Sequence, residues 1–153
     1  MTYYFLKEDY DDFLKEFEMA ESNVQKALKE IGESAKQDPG NTFHDNFGFE
    51  EGNRQFMIWS VELEKLNAIK TQSEIISPKP ADTAEIGKSV KIEDLETKKT
   101  FSFQIRGFMV QPKENAISYL SPLGKLIMGS KPGAVKTGKI GEKIKRYKIV
   151  EIS

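Results

Sequence analysis

Apolar and small residues recur at Tyr10, Phe13, Phe17, Ala20, Val24, Ala27 and Ile31, with steps that alternate between three and four. That alternation averages ~3.5 residues, the period of a helix that buries one narrow stripe against a second helix. Lys15, Glu16, Glu21, Lys26, Lys29 and Glu30 fall between the stripe positions and suit a solvated face. A second series with the same stepping runs through Phe49, Gly52, Phe56, Trp59, Leu63 and Leu66, with Ile69 near its end. Between the two series Pro39-Gly40 interrupts any helix. Two long helices joined by a short loop fold back on each other, so residues 1–77 are expected to form an antiparallel two-helix coiled coil. Each arm of roughly 29 residues would span about 43 Å at ~1.5 Å per residue. A compact bundle is the other arrangement open to such helices. A two-position stripe is too narrow to be wrapped by further helices, however, and no other helix of that length is predicted.

The pattern then changes. Ser77 to Gly87 is Pro-rich without periodicity and reads as a linker. Val90 and Ile92 alternate with Lys91 and Glu93, and Phe101, Phe103 and Ile105 alternate with Ser102 and Gln104, which predicts two strands with a turn over 94–99. Ala116–Leu120 is a third strand-like run and Ile144–Ile152 a last one, with Tyr147 and Ile149 on one face. Ser121-Pro122-Leu123-Gly124 followed by Gly129 has a cap, a first-turn proline and a terminating glycine, the marks of a helix of about two turns. Residues 78–153 are therefore expected to form a curved antiparallel sheet carrying one short helix, and the chain as a whole an α+β fold.

Composition narrows the chemistry. The 153 residues include no cysteine, which excludes disulfides and thiolate sites, and one histidine, His44, too few for a His-rich metal centre. No run of about 20 apolar residues is present to span a membrane. The acidic, aromatic start does not resemble a secretory signal, so the expected setting is the cytoplasm. The net charge of −1 hides a split. Residues 1–77 hold 8 Lys+Arg against 16 Asp+Glu, and residues 78–153 hold 15 against 8. Two modules with different surroundings are implied.

Candidate catalytic groups are few. A nucleophile triad would need His44, and no nucleophile elbow accompanies it. Gly133 to Lys139 has the spacing of a phosphate-binding loop, but Ile140 stands where the magnesium-ligating hydroxyl belongs, and a lysine-rich turn between strands fits better. The interhelical loop holds Asp38 and Asp45, with Glu50 and Glu51 just beyond. These carboxylates could hold magnesium at the end of a rod. They could equally be turn and cap residues, with Asp45 capping the second helix.

Ile117-Ser118-Tyr119-Leu120-Ser121-Pro122-Leu123-Gly124, the glycine at Gly129, Val90 to Thr97 and Arg146 to Ile152 closely resemble the bacterial Gre family of transcription elongation factors. The resemblance covers nearly the whole chain and is most specific at the Ser-Pro motif. It implies an N-terminal antiparallel coiled coil and a C-terminal domain of FKBP-like fold. It further implies that Ser121, Pro122, Leu123 and Gly124 belong to a surface docking on the rim of RNA polymerase's secondary channel. The coiled coil then enters the channel, and its tip supplies carboxylates near the polymerase's magnesium while the polymerase hydrolyses the RNA 3′ end.

In the family the tip reads Gly-Asp-Leu-x-Glu-Asn-Ala-Glu-Tyr, and its first Asp and first Glu are the functional pair. Aligned on Asp45-Asn46, the second acid corresponds to Asp45 and the tyrosine to Phe49. The first acid falls on Thr42 by spacing, or on Asn41 if the extra residue lies between them. One carboxylate stands where two are expected, so the resemblance implies a factor that binds the polymerase but stimulates transcript cleavage weakly or not at all. Asp38, Asn41, Thr42, His44, Asp45 and Asn46 are the tip candidates, with Asp45 the one candidate ligand to a shared magnesium. No cofactor of its own is expected, nucleic acid is met only through the elongation complex, and the chain is expected to be a monomer. Phe43, Phe47 and Phe49 either close the hairpin or meet the polymerase. Two other classes stay open, a chaperone-like clamp using these aromatic residues and an FKBP-type prolyl isomerase.

Overall fold

A computed structural model describes residues 1–37, 47–108 and 111–153. Ten elements follow in order: β1 (Tyr3–Phe5), α1 (Lys7–Gln37), α2 (Phe47–Thr71), β2 (Ser73–Ile75), β3 (Ser89–Asp94), β4 (Thr100–Arg106), β5 (Ala116–Ser118), α3 (Pro122–Ile127), β6 (Val135–Ile140) and β7 (Lys143–Ile152). They divide into two compact units, Leu14–Gln72 and Met1–Phe13 with Ser73–Ser153.

The helical unit buries the stripe that the spacing predicts. Phe17, Ala20 and Ala27 are buried on α1, as are Gly52, Leu66 and Ile69 on α2, while Phe56, Trp59 and Leu63 are half-buried. Phe49, the first position of the second series, is exposed instead. The helices run antiparallel. Lys70 Nζ lies 4.2 Å from the centre of the Phe17 ring. Near the other end, a Cβ on Gly52 would meet Ile31 Cγ1 at 2.9 Å. Glycine at this seam position lets the two backbones approach where a side chain would collide.

In the other unit a five-stranded sheet of order β5-β4-β3-β7-β6 encloses the core. Its pairings are antiparallel except at one edge, where β5 runs parallel to β4, so the expected antiparallel sheet is a mixed one. A bulge between Lys91 and Ile92 shifts the β3–β7 register, a device that bends a strand and sharpens its twist. Val90, Ile92, Phe103, Ile105, Ile127, Tyr147 and Ile149 form the buried centre. Segment 77–87 does more than link: Ala84 and Ile86 are buried in this core, and Ala84 exchanges backbone hydrogen bonds with Ser130 and Gly129.

Three strands escape the alternation rule. β1 and β2 pair in parallel, with Tyr3 opposite Ser73 and Phe5 opposite Ile75. Residues 135–140, within the stretch expected to be a turn, form β6, and the turn itself is Gly141-Glu142. The first stripe residues, Tyr10 and Phe13, pack with Phe5 at ring-centre distances of 5.2 Å each, and Phe108 lies 5.4 Å from Phe5. This aromatic cluster fastens the first two turns of α1 within the sheet-bearing unit.

Candidate functional site

The Ser-Pro motif follows β5 directly. Ser121 has extended backbone (φ −65°, ψ 156°), so it sits outside the helix while its side chain reaches in. Its Oγ accepts a hydrogen bond from the Gly124 amide at 3.0 Å and donates one to the Ser118 carbonyl at 2.7 Å. One hydroxyl thus caps α3 and ties it to β5. Pro122 occupies the first turn, where its missing N–H costs nothing, and it is exposed. Leu123 is half-buried against the core. Gly124 is buried because no side chain fits: a Cβ there would stand 2.2 Å from the Ser118 carbonyl oxygen. Gly129, at φ +78°, ends the helical segment in a conformation that favours glycine. Of the four motif residues the fold therefore leaves Pro122 the most open, with Ser121, Leu123 and Gly124 shaping the turn that presents it.

Beside the motif lies a cavity of about 340 Å³, lined by Tyr4, Ile76, Lys79, Ile86, Tyr119 and Met128 among others. Tyr4 and Tyr119 meet edge to face at 5.8 Å, and the Tyr119 hydroxyl accepts a hydrogen bond from the Tyr4 amide at 3.1 Å. Gly107, just after β4, lets the β1 backbone pass close by, since a Cβ there would lie 2.4 Å from the Tyr4 carbonyl oxygen. The walls are mostly apolar, with Lys79 and Glu85 the charged groups among them. Tyr119 is the wall residue that the sequence motif flagged, and Met128 caps the short helix that follows it; Tyr4 and Ile76 come from distant segments that no local pattern links.

A buried charge network stands at the end of β4. Arg106 Nε and Nη2 donate to the two carboxylate oxygens of Asp9 at 2.9 and 3.0 Å, Nη1 to Gln104 at 2.9 Å and Nη2 to Glu8 at 3.1 Å. Lys113 Nζ lies 3.1 Å from Asp12 and 3.5 Å from Asp9. The hydrogen bond to Asp9 is the main force holding the Arg106 guanidinium above its ordinary pKa, and the Asp12 carboxylate does the same for Lys113. Asp94 is held below its ordinary value, first by the backbone amide of Glu96 and further by that of Thr97 and by Lys145.

The tip candidates Asp38, Asn41, Thr42, His44, Asp45 and Asn46, with Phe43, lie outside the described residues. Beyond them, Glu51 is engaged by Arg54 at 2.7 Å and by Gln55 at 3.0 Å. Among the described residues no group of three or more His, Asp or Glu side chains is placed to hold a metal ion. No described helix is long and apolar enough to cross a membrane.

Residues 79–153 match the family model described as "Transcription elongation factor, GreA/GreB, C-term". Relatives extend the match over the helices. The transcription elongation factor GreA of Thermosipho melanesiensis is 29% identical over 156 residues, covering 97% of this chain and 95% of the relative. That of Aliarcobacter butzleri is 25% identical over 144 residues, covering 92% and 84%. The chain belongs to the GreA/GreB family. Gre factors are non-catalytic accessory factors of RNA polymerase, and this one is a transcription elongation factor with a coiled-coil hairpin and an FKBP-like C-terminal domain. Among solved structures it is similar to GreA factor homolog 1 of Thermus thermophilus at 21% identity and a TM-score of 0.45, covering 100% of this chain and 99% of that one.

Proposed function

We propose that this Gre factor docks on the rim of RNA polymerase's secondary channel through the Ser121–Gly124 turn and presents residues 38–46 to the polymerase active site. There it modulates elongation or backtracked complexes while stimulating transcript cleavage weakly or not at all. The observation that carries the reading is the chemistry of the segment joining the antiparallel helices. Asp45 is its one carboxylate at the family's two acid positions, and Asn41 and Thr42 are not ionisable. Two carboxylates can hold a second metal and orient a water for in-line attack. A lone aspartate does not hold magnesium by itself, since that ion demands a full octahedral shell. Any magnesium at Asp45 would thus be held mainly by the polymerase, and Asp45 would supply one anionic oxygen to it.

Purified factor, RNA polymerase and stalled backtracked complexes test this directly. Co-purification with core polymerase, together with slow release of 3′ RNA fragments, is expected. Vigorous fragment release would remove the weak-cleavage reading, and no association with polymerase would remove the docking reading.

A further inference from the structure

Several cations of the C-terminal half gather on one two-stranded element. β6 pairs with β7 from Val135 opposite Lys148 to Ile140 opposite Lys143, whereas the β3–β7 ladder begins only at Tyr147 opposite Asp94. Residues 137–146 therefore form a two-stranded ribbon that runs past the end of β3. Alternation divides its faces. One face looks toward α3, where a Cβ on Gly138 would meet Leu126 Cδ1 at 2.7 Å. The other carries Thr137, Lys139, Ile144 and Arg146, all exposed, and continues to Lys148.

Lys148 and Arg146 are two residues apart on β7, about 6.8 Å along the strand, and Lys139 is the diagonal neighbour of Arg146 across the ladder. Lys143 adds a fourth cation at the turn, opposite Ile140 and so on the face toward α3; Glu142 is the one carboxylate within residues 137–146, and Glu93 of β3 stands opposite Lys148. Lys139, Lys143, Arg146 and Lys148 form no ion pair with any described residue, whereas Lys145 on the other face is engaged by Asp94.

We propose that this β6–β7 ribbon is a contact surface for double-stranded nucleic acid, bound through its phosphates. A row of unpaired cations on a slender ribbon complements a polymer that carries one negative charge per about 1.7 Å of duplex axis. The major groove, about 12 Å wide, admits a two-stranded β-ribbon. No aromatic residue lies on the exposed face, Tyr147 being buried, so the base stacking that grips single strands is missing. Nor does the face offer the contiguous apolar centre of a protein–protein interface; Ile144 and Val135 stand singly among the charges. Contact is sequence-independent.

The test needs no polymerase and so stands apart from the docking proposal. A fluorescent DNA duplex is titrated with the full chain at salt concentrations from about 50 to 200 mM, the range over which phosphate contacts are most visible. The triple variant Lys139→Ala, Lys143→Ala, Arg146→Ala is compared with Lys79→Ala, Lys98→Ala, Lys99→Ala, which removes the same charge from exposed positions elsewhere in this unit. The ribbon variant is expected to bind at least tenfold more weakly. Its log–log salt slope should be shallower by about 2.7, at ~0.9 per phosphate contact, with the control triple within about twofold of wild type. Absence of binding by the wild type, or equal losses in both variants, overturns the proposal. Polyglutamate binding as tightly as DNA at equal salt also overturns it, in favour of an acidic protein surface. Circular dichroism on both variants confirms that a loss is not unfolding; should the ribbon variant unfold, Arg146→Gln alone is expected to weaken binding severalfold, and unchanged binding overturns the proposal.

Discussion

Arg106 grips Asp9 through two parallel hydrogen bonds of 2.9 and 3.0 Å, joining the end of β4 to the first turn of α1 across 97 positions of sequence. Both are nearly out of water, Asp9 at 1% and Arg106 at 7% exposure. Such a pair is costly to bury and costlier to break, because the survivor is left charged and unpaired. Asp9→Ala is therefore expected to destabilise the fold by about 3–5 kcal/mol, read as a lower urea midpoint. The double variant Asp9→Leu, Arg106→Met should recover much of that loss. A single variant as stable as wild type would show that the pair contributes nothing.

Asp94 accepts hydrogen bonds from the amides of Glu96 and Thr97 at 2.9 and 3.3 Å and faces Lys145 at 3.5 Å. Its carboxyl is held below the ordinary 3.8. A group with a depressed folded-state pKa contributes stability that is present above its unfolded value and fades as pH falls through the folded one. Asp94→Asn should accordingly lower the melting temperature at pH 7, and the gap from wild type should narrow below about pH 4. A gap that stays constant to pH 2 would show that the charge is not what stabilises this turn.

Gly124 leaves no room for a methyl group, with the Ser118 carbonyl oxygen 2.2 Å from where a Cβ would stand and Ser121 Oγ at 2.9 Å. Gly124→Ala is expected to cost about 1–3 kcal/mol through overpacking. Ser121→Ala, which removes only the cap, should cost about 1 kcal/mol. Chemical denaturation compares the two, and equal or reversed losses would deny the tight β5–α3 approach.

Pro122 is exposed and contributes little to the core. Pro122→Asp should weaken association with RNA polymerase about tenfold, as loss of an interface anchor does, while shifting the melting temperature by only a few degrees. Unchanged affinity in a folded variant would move the docking surface elsewhere.

Asp45→Ala addresses the tip in the same way. Residual fragment release from backtracked complexes should vanish while polymerase affinity stays within about twofold, because a carboxylate spent on a metal contributes little to docking area. Equal release by the variant would end the assignment of Asp45.

Local physics was legible from the residue order. The three–four stepping from Tyr10 to Ile31 marks the buried stripe of α1, because burial of one helical face depends only on that helix's own period. Ser121, Pro122 and Gly129 mark the short helix, because capping acts within one turn. Strands β3 and β4 declare themselves through alternation. The candidate tip was legible only as residue identities, since the chemistry expected of Asp45 comes from family resemblance and its surroundings lie outside the described residues.

What needed the folded chain is everything that depends on partners far apart in sequence. Three-residue strands such as β1 and β2 carry too few positions to show a period, and each exists because the other, some 70 residues away, satisfies its backbone groups. β6 hides behind lysines and Gly138, and its strand identity follows from pairing with β7. Arg106 follows the alternating run of β4 at a position that a one-sided pattern assigns to water, and it is buried because Asp9 meets it there. Sequence determined which segments bury a face; the tertiary structure decided which charges and short strands could be taken from water, since that cost is met only by a partner the local chain does not contain.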